Sequence, residues 1–476
     1  MCRAACLALV CLMATRAIAS PRSDPTIGRA VFTGATEDHA TSIELNPAAL
    51  GLGKHNEIYA ATLAAIDQFS IAHRGVTTTD DVSDTTLSPG GTLAGIWHTG
   101  SEGKITLAGQ LRTAPAERFL ESHDALRYSI LGGYQRTYAG DIAASFRITN
   151  RWYVGIGLSG QVSFLRLRYA RDTALEAGRD PMRGIDSDCG GTPCGIENPA
   201  ASEVYDVDVD TGLFSASNVI GATLGTLVKL PRDIWLGVGY HLPPGLAVQS
   251  TLVGTMSVQR APRDGGETIT GASTVYLSQP ASVDAEVSTR LAYDLDLHVG
   301  YRFEHLSRMS TYDVRGFGST FSAAGIPEWM PRARGFHSTH ALWGGVEQVE
   351  LGQIVRVGGR IGYETSTIPD ERTTAWTIQP ASATLDGGIQ VVLFDEGPSH
   401  NRVLIQLSYG LQYFPTVHVN NSEFDPNSRL DCYDSGFDYS TAACNETRKG
   451  YALPTANGDY SRIEHAIRFG LRYELK

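Results

Sequence analysis

Past its first nineteen residues this 476-residue chain has no run of about eighteen apolar residues, the length a helix needs to satisfy its backbone across hydrocarbon. Entry into a membrane is therefore open only to a closed sheet. Charge is sparse, at 19% of residues, and basic residues are the minority: 39 Lys and Arg stand against 51 Asp and Glu, a formal net charge of -12. Such a chain offers no basic face for phosphates, which excludes nucleic acid as a partner. Catalytic patterns are missing as well. The nearest serine motif, Gly157-Leu158-Ser159-Gly160-Gln161, lacks the order of a nucleophile elbow. The 13 histidines are scattered, so neither catalysis nor a cofactor is expected.

Cysteine is scarce, and three of the seven, Cys2, Cys6 and Cys11, fall in an N-terminal stretch that reads as an export leader. Basic Arg3, an apolar run from Ala4 to Ala14 and the small residues Ala17 and Ala19 before Ser20 make that pattern over residues 1–19. The four cysteines beyond it, Cys189, Cys194, Cys432 and Cys444, form two close pairs in Gly-, Asp- and Ser-rich segments. In an oxidising compartment they read as loop-pinning disulfides, paired by proximity as Cys189–Cys194 and Cys432–Cys444. A zinc site is the rival reading, but neither spacing is the usual one and no histidine stands near. No metal site is expected in the chain.

What the chain has in quantity is alternation. From Ser461 to Lys476, Ile463, Ile467, Phe469, Leu471 and Tyr473 fall on one face and Arg462, Glu464, Arg468, Arg472 and Glu474 on the other. The run 402–414 repeats it, with Val403, Ile405, Leu407 and Tyr409 against Arg402, Gln406 and Ser408. Several such runs exceed the roughly 9 to 11 residues that a tilted strand needs to cross a bilayer. About fourteen are read, at 57–71, 90–98, 104–113, 129–149, 151–170, 216–230, 233–257, 272–291, 294–310, 338–351, 353–366, 382–395, 400–415 and 460–475. Their connections alternate between tight turns and long expanses such as 171–215 and 416–459, as in barrels with short periplasmic turns and long outer loops. The expectation is an all-β protein, a 14-stranded antiparallel transmembrane β-barrel over residues 56–476. Residues 20–55 do not alternate and are expected to fold into its mouth as a hatch, or plug.

Particular stretches carry a resemblance. Gly28-Arg29-Ala30, the run Ala35 to Ser42 and Asn46-Pro47-Ala48 resemble the hatch of the long-chain fatty acid transporter (FadL-like) family of outer-membrane barrels, which includes aromatic-hydrocarbon uptake channels. Val355 to Glu364, followed by Ile368-Pro369-Asp370, resembles that family's Arg-Gly-Tyr strand, and Asp233 to Tyr240 another of its strand starts. The final Lys476 departs from the aromatic residue that usually closes such barrels. The resemblance implies passive uptake of long-chain fatty acids or other small hydrophobic compounds by a monomer in the bacterial outer membrane, among outer-membrane lipid and lipopolysaccharide. Ligand would be captured at outer loops and released sideways through a hatch-gated route beside a kink in the third strand, where Gly109 is the residue without a side chain. A general diffusion porin and a structural or adhesive surface barrel are the alternatives.

Within that frame Asn46, Pro47 and Ala48 are the expected hatch anchor and gate. Arg356, Arg360, Arg402 and Arg468 lie on polar strand faces and should line the lumen. Arg356 and Arg360 are candidates for holding a ligand carboxylate, and acids such as Glu364 and Glu464 are candidate partners for the set. Asp206, Asp208 and Asp210 project to one side of an extended segment, as solvated loop acids or as a surface calcium site.

Overall fold

The computed structural model describes residues 30–73, 81–99, 104–113, 117–119, 129–172, 202–212, 220–243, 249–291, 295–309, 311–351, 354–395, 401–420 and 456–475. The leader and all four later cysteines lie outside them, and so do both expected disulfides.

Twenty strand segments form one antiparallel sheet: β1 (Asn56–His73), β2 (Asp81–Thr99), β3 (Ile105–Thr113), β4 (Glu117–Phe119), β5 (Gly132–Thr149), β6 (Trp152–Asp172), β7 (Ser202–Asp210), β8 (Ile220–Lys229), β9 (Ile234–Leu242), β10 (Ser250–Gln259), β11 (Thr268–Leu277), β12 (Ser282–Arg290), β13 (Leu295–Glu304), β14 (Thr311–Phe317), β15 (Trp329–Ala333), β16 (Thr339–Leu351), β17 (Val355–Glu364), β18 (Ser382–Asp395), β19 (Arg402–Val419) and β20 (Gly458–Leu475). Six staves are interrupted, at β3/β4, β7/β8, β9/β10, β11/β12, β13/β14 and β15/β16, so the twenty segments make fourteen staves. The last pairs with the first from Asn56↔Leu475 to His73↔Gly458, and the sheet closes on itself. Closure removes the unpaired edges that lipid cannot hydrate.

The outward face at mid-height is apolar. Leu87, Leu111, Ile142, Leu342, Ile361 and Leu385 are each more than half exposed, as side chains against hydrocarbon would be. Connections at one end are short, such as 230–233 and 150–151; those at the other, outer end include 173–201 and 420–457.

Expected boundaries shift in several places. The second strand begins at Asp81 instead of residue 90, and 202–210, 311–317 and 329–333, outside every expected strand, are β7, β14 and β15. At β7 the cause is an inversion of the pattern: it turns Tyr205, Val207 and Val209 inward and Asp206, Asp208 and Asp210 outward, the reverse of a lipid-facing strand.

The interior has two storeys. At the short-turn end, inward positions are polar: Asp141, Glu286, His298, Glu347, Asp386, Gln406, Glu464 and Arg468 are all buried there. At the outer end inward positions are apolar, and Leu167, Val207 and Met256 form one cross-strand row, Tyr169, Tyr205 and Val258 the next.

Candidate functional site: hatch and apolar storey

The hatch, residues 30–53, lies inside the inner storey, with 30–36 and 39–50 almost wholly buried. It comprises turns, a helical turn α1 (Ser42–Leu45) and a 3-10 turn at Pro47–Leu52. Irregular backbone leaves many N–H and C=O groups without ladder partners, and burial makes each costly unless it is satisfied. The polar inner wall satisfies them. Glu347 accepts from Phe32 N at 2.8 Å, Glu286 from Ala35 N at 2.7 Å and from the Thr36 hydroxyl at 2.6 Å. Gln406 donates to Val31 O at 3.2 Å, Arg360 to Thr33 O at 2.5 Å and Ser145 to Ala48 O at 2.9 Å. Glu44 pairs with Arg112, and at 3.3 Å with His241.

Asn46 is fully buried at the centre of this contact. Its Nδ2 donates to Ala35 O at 2.7 Å and to Thr226 O of the wall at 3.0 Å, while Oδ1 accepts from Ala48 N at 3.2 Å. Pro47 starts the 3-10 turn, where its missing N–H costs nothing. Wall glycines let this segment approach. A Cβ on Gly239 would lie 1.5 Å from Leu45 O, on Gly225 2.1 Å from Asn46 Oδ1, and on Gly155 2.3 Å from Ala48 N. Glycine is required there for room. Gly-x-Gly inside β6 and β9 is the sequence trace of Gly155 and Gly239, whereas Gly225 in β8 leaves none.

Charge at the contact is dense. Burial pushes the Glu37 carboxyl up to about 7, against the opposing pull of Arg356 and His298. Burial also holds His39 well below its ordinary value, so a neutral imidazole packs edge-on against Tyr59 at 4.4 Å. Arg356 and Arg360 do line the lumen, but their guanidinium groups are engaged by Glu347, at 2.7 and 3.3 Å, beneath the hatch. Arg468 pairs with Asp386 at 3.2 Å and Arg402 with Glu474 at 3.9 Å; Glu464 pairs with Arg462 at 3.4 Å. Glu364 is buried on the same lumen face. Asp206 holds Arg166 at 2.7 Å on the outer surface, and Asp210 caps Gly212 N.

Above the hatch the apolar storey is roofed by outer connections. The short helix α2 (Ser319–Ala323) places Phe321 in the cluster, and the segment 374–378 adds Trp376 and Ile378. Trp376 stacks on Tyr312 at 5.4 Å, and Arg332 lies 4.2 Å over the Tyr169 ring.

No register shift occurs at Gly109, which pairs with Gly95 on one side and Ile142 on the other. The irregularity falls beyond it, where the β5 register steps by one residue between β3 and β4. Past that step β4 pairs with β5, and Asp81–Gly90 of β2 pairs with β1; no β2–β4 ladder is present among the described residues. Thr86 and Ser88 turn buried hydroxyls inward beside this interval, with no hydrogen-bond partner among the described residues.

No protein-family model and no curated protein matches the chain. Solved structures do. A Pseudomonas aeruginosa FadL homologue superposes with a TM-score of 0.71 at 13% identity, over 97% of this chain and 100% of that one. The Ralstonia pickettii toluene transporter TbuX gives 0.57 at 15% identity over 93% and 97%, and the Pseudomonas putida toluene transporter TodX 0.59 at 12% over 97% and 98%. By its closed wall, its buried N-terminal segment and its full-length superposition, the chain has the fold of the FadL-like hydrophobic-compound channels.

Proposed function

We propose that this protein is a bacterial outer-membrane channel for passive uptake of small hydrophobic molecules, long-chain fatty acids among them. The observation that carries the reading is the stacking of the two storeys: an apolar chamber wall at the outer end stands above a polar interior filled by the hatch. A molecule entering from outside exchanges water for the side chains of Leu167, Val207, Met256 and Val275, at roughly 0.8 kcal/mol per buried methylene. It then meets a floor it cannot solvate into. With the axis blocked, the interval between β2 and β4 offers a lateral exit at the height of lipid-facing Leu87. Asn46, Pro47 and Ala48 act as the hatch anchor. The similar folds of the toluene transporters support the same class of cargo.

The test is saturable binding of a spin-labelled long-chain fatty acid, with toluene as competitor, to the purified protein in detergent. Absence of saturable binding of either would refute a hydrophobic cargo. Steady ion conductance through the intact protein in planar bilayers would instead establish a general diffusion porin.

A further inference from the structure

Where the hatch meets β13 and β16, three potential metal ligands converge from separate parts of the chain. We propose that Glu37, His298 and Glu347 bind one divalent cation of the zinc class, shared between hatch and wall. One ligand atom from each lies within 4.8 Å of the others, and His298 Nε2 stands 3.4 Å from Glu37 Oε1. Donors around a tetrahedral zinc at about 2.0 to 2.2 Å stand roughly 3.3 to 3.6 Å apart, so the His298–Glu37 pair is already at ligand spacing and side-chain rotation draws the set together.

The imidazole is prepared for ligation. His298 is 1% exposed, and its Nε2 has no hydrogen-bond partner among the described residues. Its Nδ1 lies 3.0 Å from Glu286 Oε1, and Glu286 is itself fixed by Ala35 N and Thr36. A carboxylate behind a histidine places the proton on Nδ1 and aims the Nε2 lone pair, the arrangement that orients metal-binding imidazoles. Two carboxylates and one imidazole also leave a position for water.

Access and exchange are provided by a cavity of about 500 Å³ at the short-turn end, which Glu37, His298, Arg356 and Asp296 help to line. Arg356 now bridges Glu347 at 2.7 Å and Glu37 at 3.7 Å. The cation takes over its neutralising role, and the guanidinium turns into the cavity toward Asp296. Because Glu37 belongs to the hatch and the other two ligands to the wall, the ion fastens one to the other. This inference rests on the position of the hatch and is independent of the cargo.

Full-length protein carrying no histidine tag, stripped with chelator in detergent, is titrated with Co²⁺ alone and then Zn²⁺ alone. The expected result is one ion per chain, with the visible absorption of a low-coordinate Co²⁺ site. Affinity should fall at least about tenfold in Glu37→Gln and in His298→Ala, and by about 10- to 100-fold in Glu286→Gln, which neutralises the orienting carboxylate while keeping an amide oxygen to accept from Ala35 N. His241→Ala, which removes another wall histidine facing the hatch, should bind as the parent does. Substoichiometric binding, or equal affinity in Glu37→Gln and the parent, overturns the site and leaves an ion-pair lock. Glu37→Gln decides the matter if His298→Ala fails to fold, since Glu37 lies outside the barrel ladder.

Discussion

Strand β6 crosses both storeys with unbroken parity, and that parity carries opposite chemistry in its two halves. In the inner half the outward residues are Trp152, Ile156 and Leu158, each more than 40% exposed, and the inward ones are Gly155, Ser159, Gln161 and Ser163. In the outer half Arg166 and Arg168 face out, while Leu165, Leu167 and Tyr169 are buried inside. The environment explains the exchange: hydrocarbon surrounds the inner half and a polar hatch fills it, whereas headgroups and water surround the outer half, whose interior is apolar. β19 changes the same way, from inward Gln406, Ser408 and Gln412 to inward Val417 and Val419. One barrel therefore contains a membrane protein below and an inside-out copy of its pattern above.

The comparison breaks most severely where the hatch touches glycine. Gly239→Val should drive the hatch off the wall, because the new Cβ meets the backbone oxygen of Leu45, which cannot rotate away. Overpacking of this kind costs about 1–3 kcal/mol where side chains can yield, and more where only backbone stands in the way. Planar bilayers should show steady conductance absent from the parent, with heat-modifiable migration on gels confirming an intact barrel. Gly109→Ala, whose Cβ would meet nothing nearer than 3.8 Å, is the matched control and should conduct no more than the parent. Conductance unchanged in Gly239→Val would mean that the hatch does not seal the inner storey.

Second in size is a charge placed on the lipid side of the inner half. Leu158→Arg should cost about 2–4 kcal/mol near the bilayer midplane, measured by urea titration of the refolded barrel in lipid vesicles. Third is the apolar interior. Val207→Asn buries an unpaired amide at a fully buried position, a cost of about 1–3 kcal/mol. If ligand uses that wall, the same substitution should weaken spin-labelled fatty acid binding several-fold without opening the channel to ions. Equal affinity in parent and variant would move the cargo elsewhere.

How much of this could be read in advance follows the same division. Fourteen staves were legible because alternation in 402–414 and 461–475 has the sign that lipid imposes. β7 was not, since Tyr205, Val207 and Val209 against three aspartates is also how a soluble strand or an acidic loop looks. The hatch was visible as a segment without alternation, and Asn46 stood out by its motif. Its partners did not: Thr226 offers a backbone carbonyl, which any residue could supply, and Gly225 and Gly239 contribute only the absence of a side chain. Alternation puts Arg356 and Arg360 on the polar face of β17, yet their shared acid Glu347 comes from a neighbouring stave, and no single-strand pattern encodes a cross-strand partner.

The smallest expected effect is the most discriminating. Arg166 sits on the outward face only eight residues beyond Leu158, at the same parity, and makes a bidentate contact with Asp206 at 2.9 and 2.7 Å. If the outer half of β6 stands clear of hydrocarbon, the pair is a solvated surface ion pair worth about 0.2–1 kcal/mol, and Arg166→Leu should change urea stability by no more than that. If hydrocarbon reached this height, removing the arginine would strip Asp206 of its bidentate partner and leave a lipid-facing carboxylate with Arg168 alone opposite it, and the loss would approach the several kcal/mol of Leu158→Arg. Measured side by side in one vesicle system, the two substitutions locate the membrane boundary between residues 158 and 166, and with it the level at which the polarity of the wall has to turn over.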